Sequence, residues 1–179
     1  MSRQRPQVRR MAALPQVDVR FDAADTALVA RLAAAATVAP PRTPNTTATA
    51  PDGQGHWLWL GPDEWLVVGP EGGHDAIAPA VEAALREAAG ASFLTTVDVS
   101  ANRVGLELTG GGVADLLAFG CSLDLDDHVF APGACAQTMV ARANVIVWRL
   151  DATTWRLLVR PSFTAYLEAW LDDAAAGLG

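Results

Sequence analysis

The residue types that carry chemistry are few and scattered in this chain. The densest ligand-type group is Asp124, Asp126, Asp127 and His128, whose oxygen and imidazole donors suit a divalent cation. Alternation along an extended segment scatters these side chains over two faces, so a solvated acidic loop fits better. Asp98 and Ser100 stand two apart and offer a proton relay, but Ser100 more readily stabilises its own turn through a local hydrogen bond. Gly110, Gly111 and Gly112 end a strand pattern and open a helix pattern, where free amides bind phosphate. The dinucleotide fingerprint needs glycine at position 115, which is Asp115, so a tight turn is the reading. His56 and His74 sit in or beside loops and lack a nearby nucleophile. Cys121 has no His or Arg close in sequence and reads as a small buried side chain. No Ser/His/Asp set, carboxylate pair or metal motif stands out. No catalytic, cofactor-binding or metal-ligating residue is assigned.

Composition narrows the class. The chain has 179 residues, of which 51% are hydrophobic, enough for a packed core. No apolar run reaches the roughly 18 residues that span a bilayer. The net charge is −7. Residues 1–20 hold five Arg and one Asp, so the rest of the chain is strongly acidic, which disfavours nucleic acid. All 13 basic residues are Arg, which excludes Schiff-base lysine chemistry and the P-loop lysine. Cys121 and Cys135 are the two cysteines; they make no disulfide framework and read as reduced thiols of a soluble cytoplasmic protein, with no membrane partner. The Arg-rich start resembles a transit peptide in composition, but a solvated or partner-contacting tail is the simpler reading.

The elements that would position these residues follow from periodicity. Residues 1–56 are expected to form a basic arm, a short strand from Val17 to Phe21, a helix from Ala23 to Ala36 capped by Asp22 or Asp25, and a proline-rich linker. Residues 57–179 are expected to form the α+β body. A hairpin pairs Trp57–Leu60 with Trp65–Val68 across a type I turn. Trp57 and Leu58 point to opposite faces, so either a partner or the chain itself covers the second face. A helix from Pro79 to Ala89 ends at Gly90. The stretch Thr95–Leu125 is organising: strands Leu94–Val99 and Val104–Leu108 meet at a turn over Ser100, Ala101 and Asn102, then a helix with Val113, Leu116 and Leu117 on its apolar face stops at Gly120. A strand from Cys135, a hairpin of Val145–Leu150 with Trp155–Arg160, and a helix capped by Ser162 complete the chain, the last helix burying Phe163, Tyr166, Leu167, Trp170 and Leu171. Repeated strand–strand–helix units, three in all, imply mixed or antiparallel sheets with helices on one face.

An ordered set of motifs carries a family resemblance. Asp98-x-Ser100, Arg103, Leu106-x-Leu108-x-Gly110, Leu116-Leu117 and Cys121-x-Leu123-Asp124-Leu125 resemble the gamma subunit of heterotetrameric sarcosine oxidase. So do the run from Trp59 to Leu66, and Ser162-Phe163 through Trp170-Leu171. The resemblance covers residues 57–174, and that subunit is similar to the folate-binding domain of the glycine-cleavage T-protein. It implies a complex of four different subunits that oxidises the methyl group of sarcosine by hydride transfer to flavin, passes the one-carbon unit to tetrahydrofolate and makes hydrogen peroxide. It further implies that FAD, FMN, NAD and tetrahydrofolate belong to the alpha, beta and delta partners, mainly to alpha and beta. This chain would then be a non-catalytic accessory subunit contacting chiefly alpha. One departure is Pro161, which separates Arg160 from Ser162-Phe163 where the family places Arg directly before Ser-Phe. The alternative is a free-standing folate-binding or aminomethyltransferase-like protein, against which the short length argues.

Overall fold

The computed structural model describes residues 5–73 and 75–178. In chain order the elements are β1 (Gln7–Arg10), β2 (Gln16–Phe21), α1 (Thr26–Ala35), β3 (Thr47–Thr49), β4 (His56–Gly61), β5 (Glu64–Val68), α2 (Ile77–Ala89), β6 (Leu94–Asp98), β7 (Val104–Thr109), α3 (Val113–Ala118), β8 (Cys135–Val140), β9 (Ala143–Arg149), β10 (Thr154–Val159) and α4 (Pro161–Ala176), with one 3₁₀ turn, Ser100–Asn102, before β7. They divide into two compact units: residues 12–101, and the segment up to Met11 together with everything from Asn102 onward.

In the unit formed by residues 12–101, five antiparallel strands run in the order β3-β4-β5-β2-β6. The two-residue period of the strands puts Val17, Val19, Phe21, Trp57, Trp65 and Val67 on one face. Leu28 and Leu32 of α1 and Ala78, Leu85 and Ala89 of α2 close over them. Phe21 stacks on Trp65 with ring centroids 4.1 Å apart, a pairing worth about 0.5–1.5 kcal/mol beyond buried area. Asp25 begins α1: its carboxylate accepts from Leu28 N at 2.9 Å and from Ser92 Oγ at 2.9 Å. Arg31 of α1 donates to the carbonyls of Ala88 at 2.8 Å and Ala89 at 3.1 Å, satisfying orphan acceptors at the end of α2.

The second unit repeats the pattern. Its antiparallel order is β1-β7-β10-β9-β8, and α3 and α4 cover one face through Val113, Leu116, Leu117, Leu167 and Leu171. The order strand, helix, three strands, helix occurs twice, as β2-α1-β3-β4-β5-α2 and as β7-α3-β8-β9-β10-α4. Each sheet is completed by one extra edge strand beside the first strand of its set, β6 in one and β1 in the other. The repeat is therefore twofold, where three strand–strand–helix units were expected.

Several expectations need correction. The chain does not divide at residue 56: β2 lies between β5 and β6 within the sheet, and β3, inside the supposed linker, pairs with β4. The linker is held as well by Trp65, whose Nε1 donates to Pro41 O at 2.8 Å. The basic start is not a free arm over residues 7–10, which pair as β1 with β7; Arg3 lies outside the described residues. The organising pair is not a hairpin, because β6 pairs with β2 and β7 with β1 and β10. Ser162 does not cap α4. Arg160 is the N-cap and Pro161 the first helical residue, where its missing N–H costs nothing. The buried stripe of α4 is Thr164, Leu167, Leu171 and Ala175, one step round from the expected face, leaving Phe163 and Tyr166 exposed. Trp57 and Leu58, on opposite faces of β4, are both buried within the chain, whereas Trp59 and Leu60 are half-exposed.

Gly120 is used differently from a helix stop. It is absent from the positive-φ glycines, and the C-cap of α3 is Phe119. A Cβ at position 120 would lie 2.7 Å from Trp170 Cη2 and Cζ2 and 2.9 Å from Ala141 N. Close approach, not backbone handedness, requires the glycine.

Candidate functional site

A groove of about 550 Å³ lies in the unit that holds residues from Asn102 onward, with walls that include Arg103, Gln137, Met139, Asn144, Arg160 and Phe163. Strand ends place these residues: Arg103 precedes β7, Arg160 follows β10, and Met139 and Asn144 face each other across the β8–β9 pair. Arg160 Nη1 donates to Asn102 Oδ1, which aims the guanidinium across the start of α4. Met139 is 48% and Phe163 42% exposed. No carboxylate lies among the described residues lining this groove.

The described residues singled out for chemistry in the sequence lie outside this groove and make local contacts. Ser100 Oγ donates to Asp98 Oδ1 at 2.6 Å and accepts from Gln16 N at 2.9 Å, while Asp98 Oδ1 also accepts from Ser100 N at 2.9 Å. The pair fixes the chain as it leaves β6 and joins it to β2; the Ser100 proton is committed to a turn. A concavity of about 430 Å³ beside it is walled by Leu14, Pro15, Asp75, Ala78, Asp98 and Ser100 among others.

The acidic loop is organised by its own carboxylates. Asp124 Oδ1 accepts from Asp126 N at 3.0 Å, and Asp126 Oδ1 accepts from His128 N at 2.9 Å. Asp127 pairs at 2.6 Å with Arg149. No metal-holding cluster occurs among the described residues. Arg149 escaped the sequence reading. It is 3% exposed, donates to Phe130 O at 2.8 Å and Asp151 O at 3.2 Å, and lies 4.8 Å from the Trp155 ring centroid. An Arg at the end of an apolar strand, followed by Asp151, was the available signal.

The glycine run makes a turn, with Gly110 at φ +123 and its N–H on Thr153 O at 2.9 Å. His56 is buried, with Nδ1 3.0 Å from Thr49 Oγ1, and His74 lies outside the described residues. Cys121 and Cys135 are buried and form no disulfide. Electrostatics across the second sheet follow strand register: Glu107 bridges Arg9 at 2.6 Å and Arg156 at 3.3 Å, and Arg156 covers Trp148 at 5.1 Å. Arg10 pairs with Glu168 of α4, which raises its already high pKa. Burial raises the Glu64 carboxyl, aided by Asp18 beside it, while Arg20 at 2.8 Å pulls the other way. Amide hydrogen bonds lower the Asp151 carboxyl, that of Thr153 foremost.

A pterin or flavin ring needs an enclosed, mostly apolar slot of about 300–1,000 Å³. The apolar cavity beside His56, Trp57 and Leu85 measures about 130 Å³, too small for either ring. The larger groove is edged by charge and exposed side chains. Neither of these two concavities offers such a slot.

Residues 20–177 match the model of the sarcosine oxidase, gamma subunit family. The chain belongs to this family. Its beginning at residue 20 takes in the last two residues of β2 and all of α1, which the sequence resemblance had placed outside. Among curated relatives of the gamma family, a sarcosine oxidase subunit gamma from Corynebacterium sp. (strain P-1) is 38% identical over 117 residues, 65% of this chain and 55% of that protein. This chain thus aligns with little more than half the length of that relative. A chain of the heterotetrameric sarcosine oxidase from Corynebacterium sp. U-96, solved in complex with pyrrole 2-carboxylate, superposes with a TM-score of 0.84 at 32% identity, over 97% of this chain and 85% of that one. The glycine cleavage system aminomethyltransferase T from Bartonella henselae superposes with a TM-score of 0.67 at 15% identity, over 95% of this chain and 46% of that one. The last match speaks to fold alone, and it accords with the T-protein-like α+β fold expected of the gamma family.

Proposed function

We propose that this chain is a non-catalytic accessory subunit of a heterotetrameric sarcosine oxidase, in which the other subunits carry FAD, FMN, NAD and tetrahydrofolate and perform the oxidation. The observation that carries this reading is the superposition of 97% of the chain on a chain of the heterotetrameric enzyme, at 32% identity. The commitments of the polar groups support the accessory role. Asp98 and Ser100 are held at a turn, the Arg149 side chain is engaged with Asp127 and Phe130, and His56 lies against Thr49. No helix among the described residues is long and apolar enough to cross a membrane, which suits assembly in an aqueous compartment; we take that compartment to be the cytoplasm.

The test is co-expression with the alpha, beta and delta partners and affinity capture through this chain. Recovery of a four-chain species with a flavin spectrum and sarcosine-dependent peroxide formation is expected. A tagged chain that leaves the flavin with the other three subunits, themselves fully active, would overturn the reading.

A further inference from the structure

The groove beside α4 gathers arginine and exposed apolar side chains on one surface. In a chain of net charge −7, its walls bring together two guanidiniums, Arg103 and Arg160, with no carboxylate among its described lining residues. Large apolar side chains edge it: Met139 and Phe163 are both more than 40% exposed. Arginine beside exposed aromatic and methionine side chains is the composition enriched at the centres of protein interfaces. Guanidiniums recognise carboxylates through paired N–H donors. The N-terminus of α4, a helix of 16 residues, adds partial positive charge at Arg160.

We propose that this groove docks an acidic segment of a partner polypeptide, with carboxylates against Arg103 and Arg160 and an apolar side chain against Met139 and Phe163. The inference rests on the accessory-subunit reading, under which the segment belongs to one of the other three subunits. The chain as a whole is acidic, so the same partner segment would be repelled elsewhere and steered to the groove. Charge also argues against a second copy of this chain as the occupant, because two acidic bodies repel.

The experiment uses the full chain co-expressed with its partner subunits. Binding is measured for the wild type, for Arg103→Glu with Arg160→Glu, for Phe163→Asp, and for Arg42→Glu as a charge control outside the groove. The groove variants are expected to weaken capture by about 30-fold or more, the hot-spot range, while Arg42→Glu stays within about twofold. Hydrogen exchange on the wild type covers the case in which a variant fails to fold: residues 137–146 and 160–163 should gain protection in the complex relative to the free chain. Wild-type affinity in folded groove variants, or unchanged exchange there, would overturn the groove and leave the accessory-subunit reading standing. Protection of these segments in the free chain on raising its concentration would assign the groove to a second copy and overturn the proposal. A wild-type chain that captures no flavin-bearing subunit would overturn both readings.

Discussion

Gly120→Ala tests whether contact or backbone freedom fixes the α3–β8 junction. Gly120 is not among the positive-φ residues, so backbone entropy alone favours alanine by about 0.4–1 kcal/mol. The added Cβ would stand 2.7 Å from two atoms of the Trp170 ring and 2.9 Å from Ala141 N. Ala141 N donates to Gly120 O at 2.9 Å, and Gly120 N and Cys121 N donate to Leu117 O at 3.0 and 2.8 Å. The backbone therefore cannot retreat without losing hydrogen bonds, and the half-buried Trp170 ring must turn away from its packing against the core. Overpacking of this kind costs about 1–3 kcal/mol, which outweighs the entropic gain and sets the sign. Urea unfolding should show a net loss of about 1.3 kcal/mol, the difference between the mid-range values of those two effects. Gly111→Ala is the matched control: nothing lies within 4 Å of where its new methyl would stand, and its φ is not positive, so its stability should be unchanged or slightly raised. Trp170→Phe should relieve part of the Gly120→Ala cost. A Gly120→Ala chain as stable as the wild type would refute the close-approach argument.

Leu116→Ala or Leu117→Ala should each cost about 2–5 kcal/mol, because both side chains of α3 are fully buried; a denaturation curve showing under about 0.5 kcal/mol would contradict this. Removing residues 1–10 should expose the β7 edge and accelerate proteolysis of the second unit, since β1 pairs with β7 and Val8 packs on its core; unchanged proteolysis would restore the free-arm reading. Asp151 has a lowered folded-state pKa through the amides of Thr153 and Thr154. Its contribution is therefore present above the ordinary carboxylate range and lost as pH falls through the folded value. Asp151→Asn should flatten the acid limb of the stability–pH profile without steepening it near neutral pH. Absorbance of the purified lone chain should show no flavin band at one equivalent.

Much of the fold was legible because strand alternation and helix periodicity are local. The hairpin of β4 with β5, the β9–β10 pair, α1 with its Asp25 cap and the buried Leu116–Leu117 face all follow from spacings within a few residues. Non-local pairing was not legible. Nothing in Gln7–Arg10 announces β7 as its partner, because four residues with two Arg carry little apolar pattern. The same blindness made β6 and β7 look like one hairpin: sequence adjacency is the usual guide to pairing, and here the chain changes sheets at the 3₁₀ turn. Arg149 and the groove lay beyond reach for a related reason. Their meaning depends on side chains brought together from Asp127, Phe130 and Trp155 in one case, and from β8, β9, α4 and the ends of β7 and β10 in the other. Asp98-x-Ser100 marked a real constraint, whose role as a turn lock came from Gln16, distant in sequence.

The most direct test of the central claim is native mass spectrometry of the complex captured through this chain, with flavin absorbance recorded on the same sample. One species containing this chain and three different partners is predicted, with flavin retained on the partners after this chain is released. Release of flavin bound to this chain, or a captured chain with no flavin-bearing partner, would contradict it.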